Sequence, residues 1–397
     1  MENLEQQFSE NILVTSRRET QSSNSVREYY SDPILVDLLI DIFSRVPGES
    51  IDRFRCVSKF WRYILRRPDF TELFLTKSPS RPRILFTLVA DGKSLFYSSP
   101  QPENFNDNST LVATRYRTSF PQSLGYCFYT PVYGLALLHG YNKRSVICNP
   151  ITGESLTLPE VEDKSNRDRE AEETFYLGYD PISKQFKVLC VTWSRCERPT
   201  TYHVLTLEPG KPLWRRIQCK FHFMENHLMS SEVCINGVLY FGAKLGQSWV
   251  IVRFDVRSEE FGFIRMGNRV QSNFCAQLKL FNYKGKLGIR QQTKNYWDKV
   301  GELVLWVLKN ARHHKWSKQT YEPPNLMGEH IFVGMTNTGE IVFSPYYRTY
   351  RLEPYCLHFY NPERSNTLTR VVIQGFEEFK HHSIVTLLDY VENVKFM

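Results

Sequence analysis

Histidine and cysteine are the side chains through which this chain would most readily hold a metal or act as a nucleophile, and their spacing argues against both. The pairs His313-His314 and His381-His382 would point to opposite sides of an extended backbone, so neither chelates one ion unaided. Cys219 and His222, with His227 nearby, bring a thiol and two imidazoles together in sequence, but no second cysteine stands at a zinc-binding spacing. A GxSxG elbow, an HExxH helix, a Walker phosphate loop and a GxGxxG turn are all missing. Glu162, Asp163, Asp168, Glu170, Glu172 and Glu173 are interleaved with bases, the pattern of a solvated loop rather than of paired catalytic carboxylates. No catalytic residue, metal site or cofactor is therefore expected.

The remaining chemistry is that of recognition. Trp193, Trp249 and Trp297 stand beside polar residues near expected loop ends, where an indole at a rim would suit a protein or a glycan. Trp214 and Trp316 fall at matching late positions of a repeat and are expected between packed layers. Long loops at about 100–123, 160–173 and 291–300 are the natural places to seek a binding surface.

The elements that must carry these residues divide the chain in two. At 397 residues, 42% hydrophobic and 14% aromatic, it can form a small and a large folded domain. Residues 1–31 are polar and read as a disordered tail. From Asp32 to Thr76 three helices are expected. Asp32 would cap the first, with Pro33 at its first position, and Leu35, Leu38, Leu39, Ile42, Phe43 and Val46 recur at helical spacing until Pro47-Gly48. A second runs from Glu49 to about Leu65, and a third from Asp69 to Thr76 after Pro68. The first is apolar nearly all round, which implies burial on more than one side, either against a partner or against the chain's own C-terminal domain.

The run DLLIDIFSRVPGESIDRFRCVSKFWRYILRRPDFTELFL resembles an F-box of the large plant families. That resemblance implies docking onto the Skp-type adaptor of a cullin-RING ubiquitin ligase. Leu35, Leu38, Leu39, Ile42, Val46, Pro47, Cys56, Val57, Lys59 and Trp61 fall on its adaptor-binding motif, some facing the adaptor and others the bundle core. The family carries a proline two residues before its Asp-Leu-Leu, where this chain has Leu35 and a displaced Pro33.

After a short extended linker at 77–83, short β-type runs separated by turn signals fill residues 84–397. Gly134, Phe186, Gly237, Gly285 and Gly339 mark equivalent points at intervals of 52, 51, 48 and 54 residues. A four-stranded unit of about 50 residues is the signature of a propeller blade of kelch-like period, and the length suggests about six. RILFTL and KSLFYSS, near 83–99, are expected to pair with HSIVTLLDYV at 382–391 and close the ring. The fold class is thus α+β multidomain: a small three-helix unit followed by an all-β, β-propeller-like domain.

CNPITGESLTLP, CINGVLYF, VRFDVRSEEFGFI and TGEIVFSP are similar to segments of the F-box-associated type 3 domain. With the F-box, this resemblance implies a non-catalytic substrate receptor of an SCF-type ligase that binds an unidentified target protein. The alternatives are a glycan- or small-ligand-binding propeller, or an F-box that no longer engages the adaptor. Nine singly spaced cysteines without a CxxC read as reduced, buried thiols of a cytoplasmic or nuclear protein. No apolar stretch is long enough for a membrane span, so no membrane is an expected partner. The net charge of +8 is scattered in dipeptides such as Arg66-Arg67 and Arg215-Arg216, so nucleic acid is not expected either.

Overall fold

The computed structural model describes residues 34–395 except 103–108, 122–126, 129, 140–143, 162–170, 195–199, 209–212, 226–231, 267–277, 292–302, 324–329, 346–353 and 364–366. The tail at 1–31, the Asp32 cap with Pro33, Trp297, His227 and most of the acidic run therefore lie outside the described residues. The chain divides into two compact units, Met1–Leu39 and Ile40–Met397.

Four α-helices occur among the described residues: α1 Val36–Phe43, α2 Gly48–Phe54, α3 Lys59–Ile64 and α4 Pro68–Lys77. The single helix expected from Glu49 to Leu65 is two. Ser58 takes an extended backbone, with φ −154° and ψ 163°, and its hydroxyl accepts the Trp61 N–H at 3.0 Å. That contact is an N-cap, and it starts a new helix at Lys59. Pro68 begins α4 instead of merely breaking what precedes it, because a first-turn position has no N–H to lose. Lys77 ends α4 and Ser78–Ser80 form a 3₁₀ turn where extended linker was expected.

Among the described residues six sheets follow, antiparallel but for one edge pairing. Blade two comprises Cys127–Phe128, Ala136–His139, Ser145–Cys148 and Ser155–Thr157; blade three comprises Ala171–Asp180, Gln185–Ser194, Thr201–Thr206 and Arg215–Ile217. Blade four holds Met224–Glu225 and Val233–Ile235 beside Val238–Leu245, Ser248–Asp255 and Phe261–Arg265. Blade five is Lys279–Tyr283, Lys286–Gln291, Leu303–Asn310 and Lys315–Tyr321, and blade six is His330–Met335, Ile341–Pro345, Cys356–Asn361 and Thr367–Gln374. Blade one draws on both ends of the domain: Val385–Tyr390 pairs with Arg83–Ala90, which pairs with Lys93–Pro100 and then Thr114–Pro121. The closure expected from the sequence is therefore present. A second closure leaves no mark in the sequence pattern: Thr110–Val112 runs parallel to Thr367–Gln374, so the N-terminal part of the domain also edges the last blade. Of the stretch 100–123 expected as a loop, the described residues Thr110–Val112 and Thr114–Pro121 are strand, and Glu172 and Glu173 also belong to a strand.

The repeat spacing has a conformational cause. Tyr133-Gly134, Asn236-Gly237 and Lys284-Gly285 each have positive φ at both residues, as does Asp91-Gly92, and each pair separates directly paired strand residues. This is the two-residue hairpin whose twist matches that of the strands, and it favours glycine at its second position. Apolar residues then fill the seams between neighbouring blades, with Tyr176 stacked on Phe241 at 4.2 Å between blades three and four. Trp214 donates its indole N–H to Pro159 O at 2.7 Å, and Trp316 donates to Arg265 O at 3.0 Å. Each reaches a carbonyl at or just beyond the preceding blade's outer strand, the inter-blade role expected of both.

The half-buried His358 should give the propeller a pH dependence. Burial, with His330 and Arg370 adding repulsion, pushes His358 down to about 4; its ring stands perpendicular to His330 at 4.5 Å. The unfolded histidine titrates near 6.5, so between these values the unfolded chain binds more protons and stability rises with pH. Denaturation midpoints measured from pH 4 to 6.5 are expected to climb less steeply in His358→Phe than in the wild type. Identical slopes would refute this assignment.

Candidate partner-binding surface

Helical spacing sorts the apolar residues of the first helix into two stripes. Leu39 and Phe43 are buried, whereas Leu35, Leu38 and Ile42 are 70%, 55% and 50% exposed. Within the second unit the bundle is knitted by aromatic rings, with Phe43 4.7 Å from Trp61 and 5.4 Å from Phe54, and by fully buried Ile51, Ile64, Leu65, Phe70 and Phe74. Lys77 at the end of α4 donates to Asp41 Oδ1 at 2.6 Å and to Ser44 Oγ at 2.9 Å. Lys77 and then Arg45 hold the Asp41 carboxyl below its ordinary range.

Of the residues expected to meet an adaptor, Leu35, Leu38, Ile42, Pro47, Cys56, Val57 and Lys59 are exposed, Val57 at 61%. Val46 is half-buried, its carbonyl accepting from Arg81 Nη1 at 3.0 Å. Leu39 is buried, and Trp61 packs its ring against Phe43 and Phe54. Cys56 departs from the expectation of buried thiols: it is exposed, and its sulfur lies 3.6 Å from Asp52 O. Cys148, Cys190 and Cys356 are buried, and burial raises the Cys148 thiol far above its ordinary value.

The rest of the bundle is seated on the propeller by polar contacts that sequence reasoning missed. The Gly48 N–H donates to Glu392 Oε2 at 3.0 Å, and Glu392 N–H donates to Ser78 Oγ at 2.8 Å. Arg83 Nε lies 3.5 Å from the other carboxylate oxygen, and Tyr116 donates to it at 3.4 Å. Buried Arg55 donates to Val394 O and Leu65 O, each at 3.1 Å, and to Asp52 Oδ1 at 2.8 Å. Desolvation pushes the Asp52 carboxyl up although Arg55 pulls against it. Asn149 holds the same terminal segment, donating to Asn393 O at 2.9 Å, and Lys184 pairs with Glu72 of α4 at 2.6 Å. Residues 391–395 thus lie between α2–α4 and the blades, held there by these hydrogen bonds, with Val394 fully buried.

Strand direction fixes which side of the propeller these helices occupy. In each blade the turn joining the first two strands and the turn joining the last two lie on one face, and the remaining connections lie on the other. Lys184 and Asn149 sit in turns of the first kind, and residues 391–395 follow the end of the innermost strand of blade one at the same face. Trp193, near the end of a second strand, and Trp249, directly across the hairpin from Lys244, belong to the opposite face. Both indoles are half-buried, and Lys244 Nζ stands 5.7 Å over the Trp249 ring. The histidine pairs do not assemble a centre: among the described residues no group of three or more His, Cys, Asp or Glu side chains could hold a metal ion.

Residues 36–73 match the F-box domain family, and residues 83–391 match the F-box associated beta propeller domain family. The chain belongs to the F-box proteins. Over the full length of both chains it is 45% identical to the putative F-box protein At1g53370 of Arabidopsis thaliana. It is 44% identical to F-box protein At1g53790 of the same plant, covering 92% of this chain and 82% of that one, and 40% identical to F-box protein DOR, also of Arabidopsis thaliana, covering 93% and 95%. In this F-box protein the exposed residues Leu38, Ile42 and Val57 fall inside the matched F-box. The helical contacts with Glu392 and Val394 reach just beyond the matched propeller domain.

Proposed function

We propose that this F-box protein is a substrate-recognition subunit of an SCF-type cullin-RING ubiquitin ligase, acting in the cytoplasm, the nucleus or both. Its F-box docks on a Skp-type adaptor, and its propeller binds a target protein. One observation carries the reading: within a bundle whose core is fully buried, the F-box keeps Leu35, Leu38, Ile42 and Val57 between 50% and 70% exposed. Large aliphatic side chains held outward in this way favour a protein partner that buries them. On this reading the chain is a non-catalytic receptor. Its contribution is proximity, raising the effective concentration of a target near the ligase-bound ubiquitin.

We assign the target to the propeller face opposite the helices, because α2–α4 and residues 391–395 cover part of the first face. Trp193 and Trp249 are the candidate anchors, together with Trp297, which lies outside the described residues. Tagged chain captured from plant extract is expected to retain a Skp-type adaptor and a cullin. Val57→Asp should recover about tenfold less of both, since it removes an aliphatic side chain from the adaptor interface and adds a charge that docking must desolvate. Equal recovery, or none with the wild type, would defeat the proposal.

A further inference from the structure

A cleft of ≈ 240 Å³ opens between α4 and the propeller, and none of its walls belongs to the exposed adaptor surface. Tyr133, Tyr179 and Phe186 form one aromatic side, with centroids 4.2 Å apart for the first pair and 4.6 Å for the second. Leu75 of α4 stands among the other lining residues. The charged groups are three: Glu72, Lys184 and Lys395. Lys184 takes Glu72 as its ion-pair partner at 2.6 Å, while Lys395, also at the cleft, feels Glu72 only through the longer-range field. Burial raises both tyrosine hydroxyls above their ordinary range, so they stay neutral donors. A mostly apolar cleft with converging polar groups is the usual form of a small-ligand site, and here two lysines and one carboxylate line it, Glu72 being paired with Lys184.

We propose that this cleft binds a small planar aromatic carboxylate, its ring against Tyr133, Tyr179 and Phe186 and its carboxylate at Lys395. The volume admits one or two fused rings and little more. Such a ligand touches both α4 and the propeller turns at Tyr133 and Pro181, so it would bind the assembled F-box and propeller better than either alone. Adaptor docking does not depend on it, and the two ideas fail separately.

The test uses the full-length chain, with 2-naphthoate as probe and 2-naphthamide as its neutral counterpart, followed by saturation-transfer NMR. Saturable binding with a dissociation constant of about 1 mM or below is expected for a ligand of this size. The amide, and the acid with Lys395→Gln, should each bind at least about fivefold more weakly, because the ion pair is lost. Leu75→Trp should abolish binding by filling the cleft; if that variant melts early, Thr76→Trp at an exposed lining position serves instead. Absence of saturable binding up to about 5 mM, equal affinity for acid and amide, or undiminished binding to the folded tryptophan variant would each overturn the proposal.

Discussion

Glu392→Ala is expected to destabilise the protein by about 3–5 kcal/mol, the cost of removing one partner from a buried ionic network. Glu392 is 3% exposed, and its carboxylate meets Arg83, Tyr116 and the Gly48 N–H together. Substitution strips the acceptor from a buried backbone donor and leaves the Arg83 guanidinium, itself 11% exposed, without that countercharge. An alanine cannot restore either contact. Glu392→Gln keeps the shape and one acceptor oxygen, so its loss should be smaller. Denaturant unfolding of the three proteins at neutral pH measures this directly. A loss below about 1 kcal/mol for the alanine variant, the range of a screened surface pair, would mean that Glu392 does not fasten the helices to the propeller. Because Gly48 opens α2, proteolysis within residues 40–82 should also quicken in Glu392→Ala, by exposing helices that the wild type holds against blades.

Leu38→Asp with Ile42→Asp should weaken adaptor binding at least about a hundredfold. Burying a leucine or isoleucine side chain contributes about 1.5–3 kcal/mol, and every 1.4 kcal/mol is tenfold in affinity. Taking two such side chains out of the interface, and leaving two carboxylates to desolvate, exceeds that threshold even where packing is imperfect. The same change should leave the melting temperature nearly untouched, since both positions are about half exposed and exposed substitutions seldom move stability by more than about 0.5 kcal/mol. Leu39→Asp makes the contrasting control: Leu39 is buried, so its loss of binding should come with loss of folding.

The repeat was legible because it rests on local chemistry. Gly134, Gly237 and Gly285 supply the positive φ of a two-residue hairpin, and the alternation around them gives strands whatever lies elsewhere. Ser58 was equally local, an N-cap three residues before Trp61, yet the apolar spacing on either side of it suggested one continuous helix. The pairing of Thr110–Val112 with blade six left no such trace, because three residues in a parallel edge pairing carry too little pattern. Nor could sequence join Gly48 to Glu392, which are 344 positions apart. At the candidate site, spacing identified α1 as apolar nearly all round but not which stripe faced outward. That choice depends on where Phe54 and Trp61 meet Phe43. The family motif named Leu39 and Trp61 together with Leu38 and Ile42, whereas burial separates core members from surface members.

The adaptor claim is decided most directly by titrating purified full-length chain with a purified Skp-type adaptor in a calorimeter, wild type beside the Leu38→Asp, Ile42→Asp double variant. Saturable one-to-one binding by the wild type is predicted, with affinity at least about a hundredfold lower in a double variant that melts at the same temperature. A wild type that does not bind, or a folded double variant that binds as tightly, would contradict the account.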